Sequence, residues 1–166
     1  MKKVFLLVVC LGCAAVSYAQ SSLSKGSSLV NVGVGVVPGF GGNASYDYGL
    51  IDHWGPGLFT VGGYFSTSVR NKNYGFGKYE VTHKETKLFF APRASYRYSI
   101  NPKFEIFGSM MIGLLVINSH EDVDQKAAFG LMAGCRYFFT NSFGVFAEGG
   151  ANIDATCLNG GICFSF

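Results

Sequence analysis

The sequence predicts an all-β protein, an eight-stranded antiparallel transmembrane β-barrel wound as an up-and-down meander. Three observations predict it. Apolar residues alternate with small or polar ones through eight segments of roughly ten residues, each bounded by turn residues, which is the period of half-exposed strands. The 166 residues include 23 glycines but only 4 prolines, with 16% aromatic and 14% charged residues. A helical bundle would lose about 1 kcal/mol at each interior glycine, and a disordered chain would carry few aromatics and many charges. Finally, Lys25, Lys72, Lys78, Lys84, Lys87, Lys103 and Lys126 all fall in expected loops or at strand ends. A soluble barrel would use lysine in mid-strand on a hydrated outer face.

Residues 1–19 read as a secretory signal peptide and 20–166 as the barrel domain. Lys2 and Lys3 form a positive start, Val4–Val16 an apolar stretch too short to span a membrane, and Ser17 and Ala19 supply small residues at −3 and −1. A lipidation site at Cys13 would want an aliphatic residue where Cys10 stands. The formal charge of +3 owes two units to Lys2 and Lys3, so nucleic acid is not an expected partner. Cleavage leaves Cys135, Cys157 and Cys163, an odd number and no disulfide framework. Cys157 and Cys163 share one strand parity roughly 20 Å apart, too far to bridge. The apolar run Met110–Ile117 is eight residues long, far short of a membrane helix.

The strands follow in order. Strand 1, Ser28–Val37, sets Val30, Val32, Val34 and Val36 against Asn31, Gly33 and Gly35. Strand 2 sets Tyr46, Tyr48 and Leu50 against Ser45, Asp47 and Gly49, and strand 3 sets Phe59, Val61 and Phe65 against Thr60, Gly62, Tyr64 and Ser66. Strand 4 sets Leu88, Phe90, Ala94, Tyr96 and Tyr98 against Phe89, Ala91, Arg93, Ser95 and Arg97. Within it Pro92 removes a ladder donor and should open a bulge. Strand 5 sets Phe104, Ile106, Met110, Ile112, Leu114 and Val116 against Glu105, Phe107, Ser109, Met111 and Gly113. Strand 6 sets Phe129, Leu131, Ala133, Cys135 and Tyr137 against Gly130, Met132, Gly134 and Arg136. Strand 7 sets Val145, Ala147 and Ala151 against Phe146, Glu148 and Gly150, and strand 8 sets Leu158, Ile162, Phe164 and Phe166 against Asn159, Gly161, Cys163 and Ser165.

Tight links follow strands 2, 4 and 6, at Asp52–Gly57, Asn101-Pro102 and Thr140–Ser142. Longer links, Arg70–Thr86 and Asn118–Lys126, follow strands 3 and 5; Pro38–Asn43 is of middling length and Asn152–Asp154 short. Transmembrane barrels place short turns in the periplasm, with both termini, and longer loops outside.

The mid-strand charges sharpen the reading. Asp47, Glu105 and Glu148 oppose Arg93, Arg97 and Arg136, and all six stand on the small-residue parity. They can pair inside a narrow tube as a lumen charge network, while the apolar parity, with Ile112 and Leu131 near mid-strand, faces lipid. Gly113, on the lumen parity, is expected to tolerate serine. A soluble, lipocalin-like envelope barrel binding an apolar ligand would invert the two faces. Eight strands enclose a space that side chains just fill, and Phe89, Phe107, Met111, Met132, Phe138 and Phe146 point inward, so no wide channel is expected.

The eight segments and the terminal stretch Gly161-Ile162-Cys163-Phe164-Ser165-Phe166 resemble the small outer-membrane β-barrel proteins of the OmpA/OmpX type. Ser45-Tyr46-Asp47-Tyr48-Gly49 and Phe143-Gly144-Val145-Phe146-Ala147-Glu148 resemble segments of the outer membrane protein β-barrel domain families. The resemblance implies residence in the cell outer membrane of a Gram-negative-type envelope. It also implies that Ile162, Phe164 and Phe166 form the C-terminal feature read by the barrel assembly machinery.

Candidate chemistry is sparse. Gly33-Val34-Gly35 meets Pro38 where a dinucleotide loop wants its third glycine, and it lies within a strand. Ser119-His120-Glu121-Asp122, with His83 in the other long loop, could serve a lipid-modifying enzyme, but adjacent loop residues point apart and stay solvated. Asp122-Val123-Asp124 lacks the remaining ligands of a calcium loop, and Asn43-Ala44-Ser45 is a glycosylation sequon without meaning in a bacterial envelope. The segment Arg70–Lys87 carries five basic and two acidic residues, with Tyr74, Phe76 and Tyr79 beside Lys72 and Lys78. These five form the candidate surface contact for lipopolysaccharide phosphates or a host surface. The expected protein is a monomeric, non-enzymatic barrel without cofactor or metal, with a structural or adhesive role and outer-membrane lipid and lipopolysaccharide as its surroundings.

Overall fold

The computed structural model describes residues 24–36, 39–52, 55–74, 81–119, 123–151 and 157–166. Among them eight strands follow one another: β1 (Ser28–Gly35), β2 (Gly41–Ile51), β3 (Leu58–Tyr74), β4 (Val81–Asn101), β5 (Phe104–Asn118), β6 (Val123–Phe138), β7 (Phe143–Ala151) and β8 (Leu158–Ser165). Each pairs antiparallel with its chain neighbours, and β1 closes on β8 from Leu29↔Ser165 to Gly35↔Asn159. At the seam the Ser28 amide donates to the Phe166 carbonyl at 2.7 Å, and the Phe166 amide donates back at 2.9 Å. Closure satisfies the backbone groups that an open sheet edge would leave bare.

The alternation sorts the residues as the sequence predicts. Along β4 the side chains of Phe89, Ala91, Arg93, Ser95 and Arg97 are buried, whereas Leu88, Phe90, Tyr96 and Tyr98 are exposed. On the outer face Ile112 is 63% exposed and Leu114 59%, while Arg97 and Asp47 inside are 0% exposed. Such an inversion is untenable in water, where large apolar surfaces are costly and charges prefer hydration. In hydrocarbon it is the stable arrangement, so this is a membrane-spanning barrel. Near the termini an aromatic run links Tyr137, Phe139, Phe143 and Phe164 with successive ring centroids 5.4, 6.0 and 5.3 Å apart. Girdles of aromatic residues flank the apolar band of such barrels at the membrane interfaces.

The lumen is filled in layers. Tyr64, Phe89, Ala91, Met111, Leu115 and Met132 pack into one apolar cluster, and Leu29, Phe138, Phe146 and Cys163 into a second. Charged residues lie between: along β6 the inward order is Met132, Arg136, Phe138. The soluble alternative, with an apolar ligand in the interior, fails here because the interior holds the charges and the apolar parity lies outside.

Four expectations need correction. Pro92 makes no bulge: Phe90↔Leu114 and Arg93↔Met111 keep one register on either side of it, and Gly63↔Pro92 persists on β3. The exposed ring lies on the outer face, so the missing donor interrupts the ladder without inserting a residue. The register shifts fall instead beside turns, at Gly49/Ile51 and Ser99/Asn101. Secondly, the long links are mostly strand. Arg70↔Glu85 through Tyr74↔Val81 continue the β3–β4 ladder, and Asp124 to Lys126 belong to β6. Alternation fades there, and without it the sequence carried no strand signal. Thirdly, Lys87 is neither in a loop nor hydrated. It is buried inside β4, 3.5 Å from Glu85. Lastly, Gly113 has no room for serine: a Cβ there would stand 2.1 Å from the Phe90 carbonyl oxygen and 2.5 Å from the Ala91 Cβ.

Strand length is uneven. β3 to β6 run 15 to 21 residues, whereas β1, β7 and β8 run 8 or 9 and β2 runs 11. One side of the barrel is therefore a tall wall, and the other is low.

Candidate functional site

The six charges singled out by parity meet in one network. Arg97 grips Glu105 with two nearly parallel bonds, Nε to Oε1 at 3.2 Å and Nη2 to Oε2 at 2.8 Å. Arg136 donates from Nη1 to the same Glu105 Oε1 at 2.6 Å and from Nη2 to Asp47 Oδ2 at 3.3 Å. Arg93 lies 3.7 Å from Asp47 Oδ1 through Nε and donates from Nη2 to Glu148 Oε2 at 3.0 Å. The sequence of partners thus alternates in sign from Glu148 through Arg93, Asp47, Arg136 and Glu105 to Arg97. Three acids and three guanidinium groups cancel, which suits an interior where an uncompensated charge is costly.

Neutral polar residues extend the network to every strand. Asn31 of β1 accepts from Arg136 Nε at 3.2 Å and donates to Ser45 Oγ at 2.7 Å. Asn159 of β8 donates to Glu148 Oε1 at 3.1 Å and to the Tyr64 hydroxyl, on β3, at 3.0 Å. Ser95 accepts from Arg93 Nε at 3.1 Å and donates to Asp47 Oδ1 at 3.3 Å. Two guanidinium groups approach the Phe107 ring, that of Arg136 3.8 Å and that of Arg93 5.4 Å from its centroid. Both contacts fall within cation–π range. Asn31, Tyr64, Ser95 and Asn159 are absent from the sequence-derived site. Their inward parity was readable, but a neutral side chain gives no sign of its bonding partner.

The remaining predicted residues separate. Ile162, Phe164 and Phe166 share the outer face of the last strand and seam; Ile162 and Phe164 pair with Val32 and Val30 of β1. Lys72 and Tyr74 stand near the end of β3, register partners of His83 and Val81. Phe76, Lys78 and Tyr79 lie outside the described residues, as do His120, Glu121, Asp122 and the signal segment 1–19. Among the described residues Cys135, Cys157 and Cys163 form no disulfide.

Fold and lumen together define the class: a closed eight-stranded meander barrel, apolar outside and plugged by charge pairs within, of the type found in bacterial outer membranes. No protein-family model matches the chain, and no curated protein matches it. Solved structures do. The chain is similar to Ail, the attachment invasion locus protein of Yersinia pestis, in complex with the heparin analogue sucrose octasulfate. The TM-score is 0.56 at 15% identity, over 86% of this chain and 100% of that one. The N-terminal β-barrel domain of Pseudomonas aeruginosa OprF gives 0.53 at 19% identity, over 86% and 98%. Ail in a phospholipid bilayer nanodisc gives 0.53 at 16% identity, over 86% and 100%.

Proposed function

We propose that the protein is a non-enzymatic outer-membrane barrel, exported through residues 1–19, that presents its β3–β4 hairpin outside the cell to polyanionic partners. The tall wall carries this reading. β3 and β4 pair as far as Tyr74↔Val81, whereas β1 and β8, elsewhere around the barrel, stop at Gly35↔Asn159, so the ribbon stands beyond the low rim that those two strands form. The short turns Pro102-Lys103 and 139–142 then lie with both termini in the periplasm, the usual disposition of such barrels. Arg70, Lys72, Lys78 and Lys84 belong to the ribbon and the residues linking its strands, and basic clusters attract phosphate and sulfate groups. Ail, seen with a sulfated heparin analogue, shares this architecture, which supports the same chemistry here. The filled lumen supports a mechanical role for the interior, as a strut rather than a path.

Heparin chromatography of the folded protein tests the proposal. Lys72→Ala combined with Lys78→Ala and Lys84→Ala should lower the salt concentration at elution, since each removed cation weakens a screened contact. Lys103→Ala, at the opposite end, should leave it unchanged. Equal elution of all variants would overturn the assignment of the hairpin.

A further inference from the structure

The outer wall is not uniformly convex. Across β4 to β7 the residues Ala94, Gly108, Ala133 and Gly149 form the floor of a recess of about 700 Å³, with Tyr96 and Leu131 among its walls. A second recess of about 380 Å³, beside Pro92 and Ile112, joins it at Ala94 and Met110. The floor is small by sequence, not by crowding. A Cβ on Gly108 would meet no heavy atom within 4 Å, and one on Gly149 would only reach ordinary contact at 3.8 Å from Leu158 Cδ1. Larger side chains would fit, and the wall is instead left hollow.

We infer that this recess is a binding site for one acyl chain of a phospholipid. It is continuous with the lipid-facing band, so hydrocarbon already surrounds it. The surrounding bilayer supplies flexible hydrocarbon chains at this depth, and a single one can lie along a hollow lined by small residues. Unfilled space there would forfeit dispersion contacts on one side. Gly108 lies five residues from Lys103 in the turn and ten from Asn118 at the far end of β5. The recess therefore sits nearer the termini, in the leaflet that is periplasmic and phospholipid-rich in the orientation proposed above. On that orientation rests the choice of phospholipid over lipopolysaccharide.

Native mass spectrometry of the folded barrel released from phospholipid nanodiscs tests the inference, with electrophoresis before and after heating to confirm closure. The wild type should retain one phospholipid. Gly108→Leu and Ala133→Leu, which fill the floor, should lose it. Gly42→Leu should keep it, because a Cβ on Gly42 reaches only ordinary contacts, at 3.8 and 4.0 Å, and Gly42 lies on β2, away from both recesses. Should Gly108→Leu fail to close, Ala133→Val is the milder filling variant. Retention unaffected by filling, or loss in all variants including Gly42→Leu, would overturn the site. So would a second copy of the chain in place of lipid. In nanodiscs containing both lipids, selective retention of lipopolysaccharide would overturn the assignment to phospholipid and indict the orientation, whereas heparin elution would report on the hairpin independently.

Discussion

Glu105 accepts three hydrogen bonds from two guanidinium groups, and Arg136 joins it to Asp47 and Asn31. Removing one member leaves its partners charged and buried without a counterpart, a cost on the order of 3–5 kcal/mol. Arg136→Ala and Glu148→Ala should therefore lower the temperature at which the compact electrophoretic band converts to the unfolded one. Lys103→Ala, exposed in a turn, should not move it. Equal shifts in all three would contradict the luminal pairing. Gly113 makes a separate demand at the same scale. Its missing side chain is what lets β5 lie against Phe90 and Ala91, so Gly113→Ser should also lower the transition, and an unchanged melting temperature would show that the strands can part there. The charges were legible from parity alone because a mid-strand charge on a small-residue face has only the lumen to occupy. The glycine was misread, since parity gives direction and not free volume.

Elements were legible wherever lipid lies on one face and side chains fill the other, because that contrast writes itself as a period of two. Beyond the bilayer both faces are wet and the constraint lapses. That is why Arg70–Tyr74 and Val81–Thr86 read as loop in the sequence yet continue the ladder in the structure. Pro92 misled for a related reason. Its ring is harmless on a lipid face, and one absent donor is a smaller perturbation than an added residue. The extension of β3 and β4 also relocates the expected protease site. Backbone held in a ladder resists cleavage, whereas loop tips are cut first. Trypsin added to intact cells should cleave after Lys78, which lies between the two strand ends, before Lys72, which is paired in register with His83. It should spare Lys103. Cleavage at Lys103 in intact cells would place the short turns outside and reverse the orientation.

For the whole molecule, the decisive term is the solvent on the outer face. Ile112 and Leu131 are exposed on neighbouring strands, in the two successive outward pairs Ile112↔Phe129 and Met110↔Leu131. Neither side chain supports a luminal contact, so substituting either leaves the charge network and both apolar plugs intact. An arginine there is costly only if the surroundings are hydrocarbon, by roughly 2–4 kcal/mol near the bilayer midplane. Ile112→Arg and Leu131→Arg should thus reduce the yield of heat-modifiable, closed barrel when the denatured protein is refolded into phospholipid vesicles. The same variants refolded into short-chain detergent micelles, whose thin and deformable apolar layer lets a long cation reach water, should close more nearly like the wild type. The difference between vesicle and micelle is the quantity to measure, because a defect common to both would trace to strand pairing instead. Normal insertion of both arginine variants into vesicles would remove the physical basis for a membrane-spanning barrel, whatever its likeness in shape to those of the outer membrane.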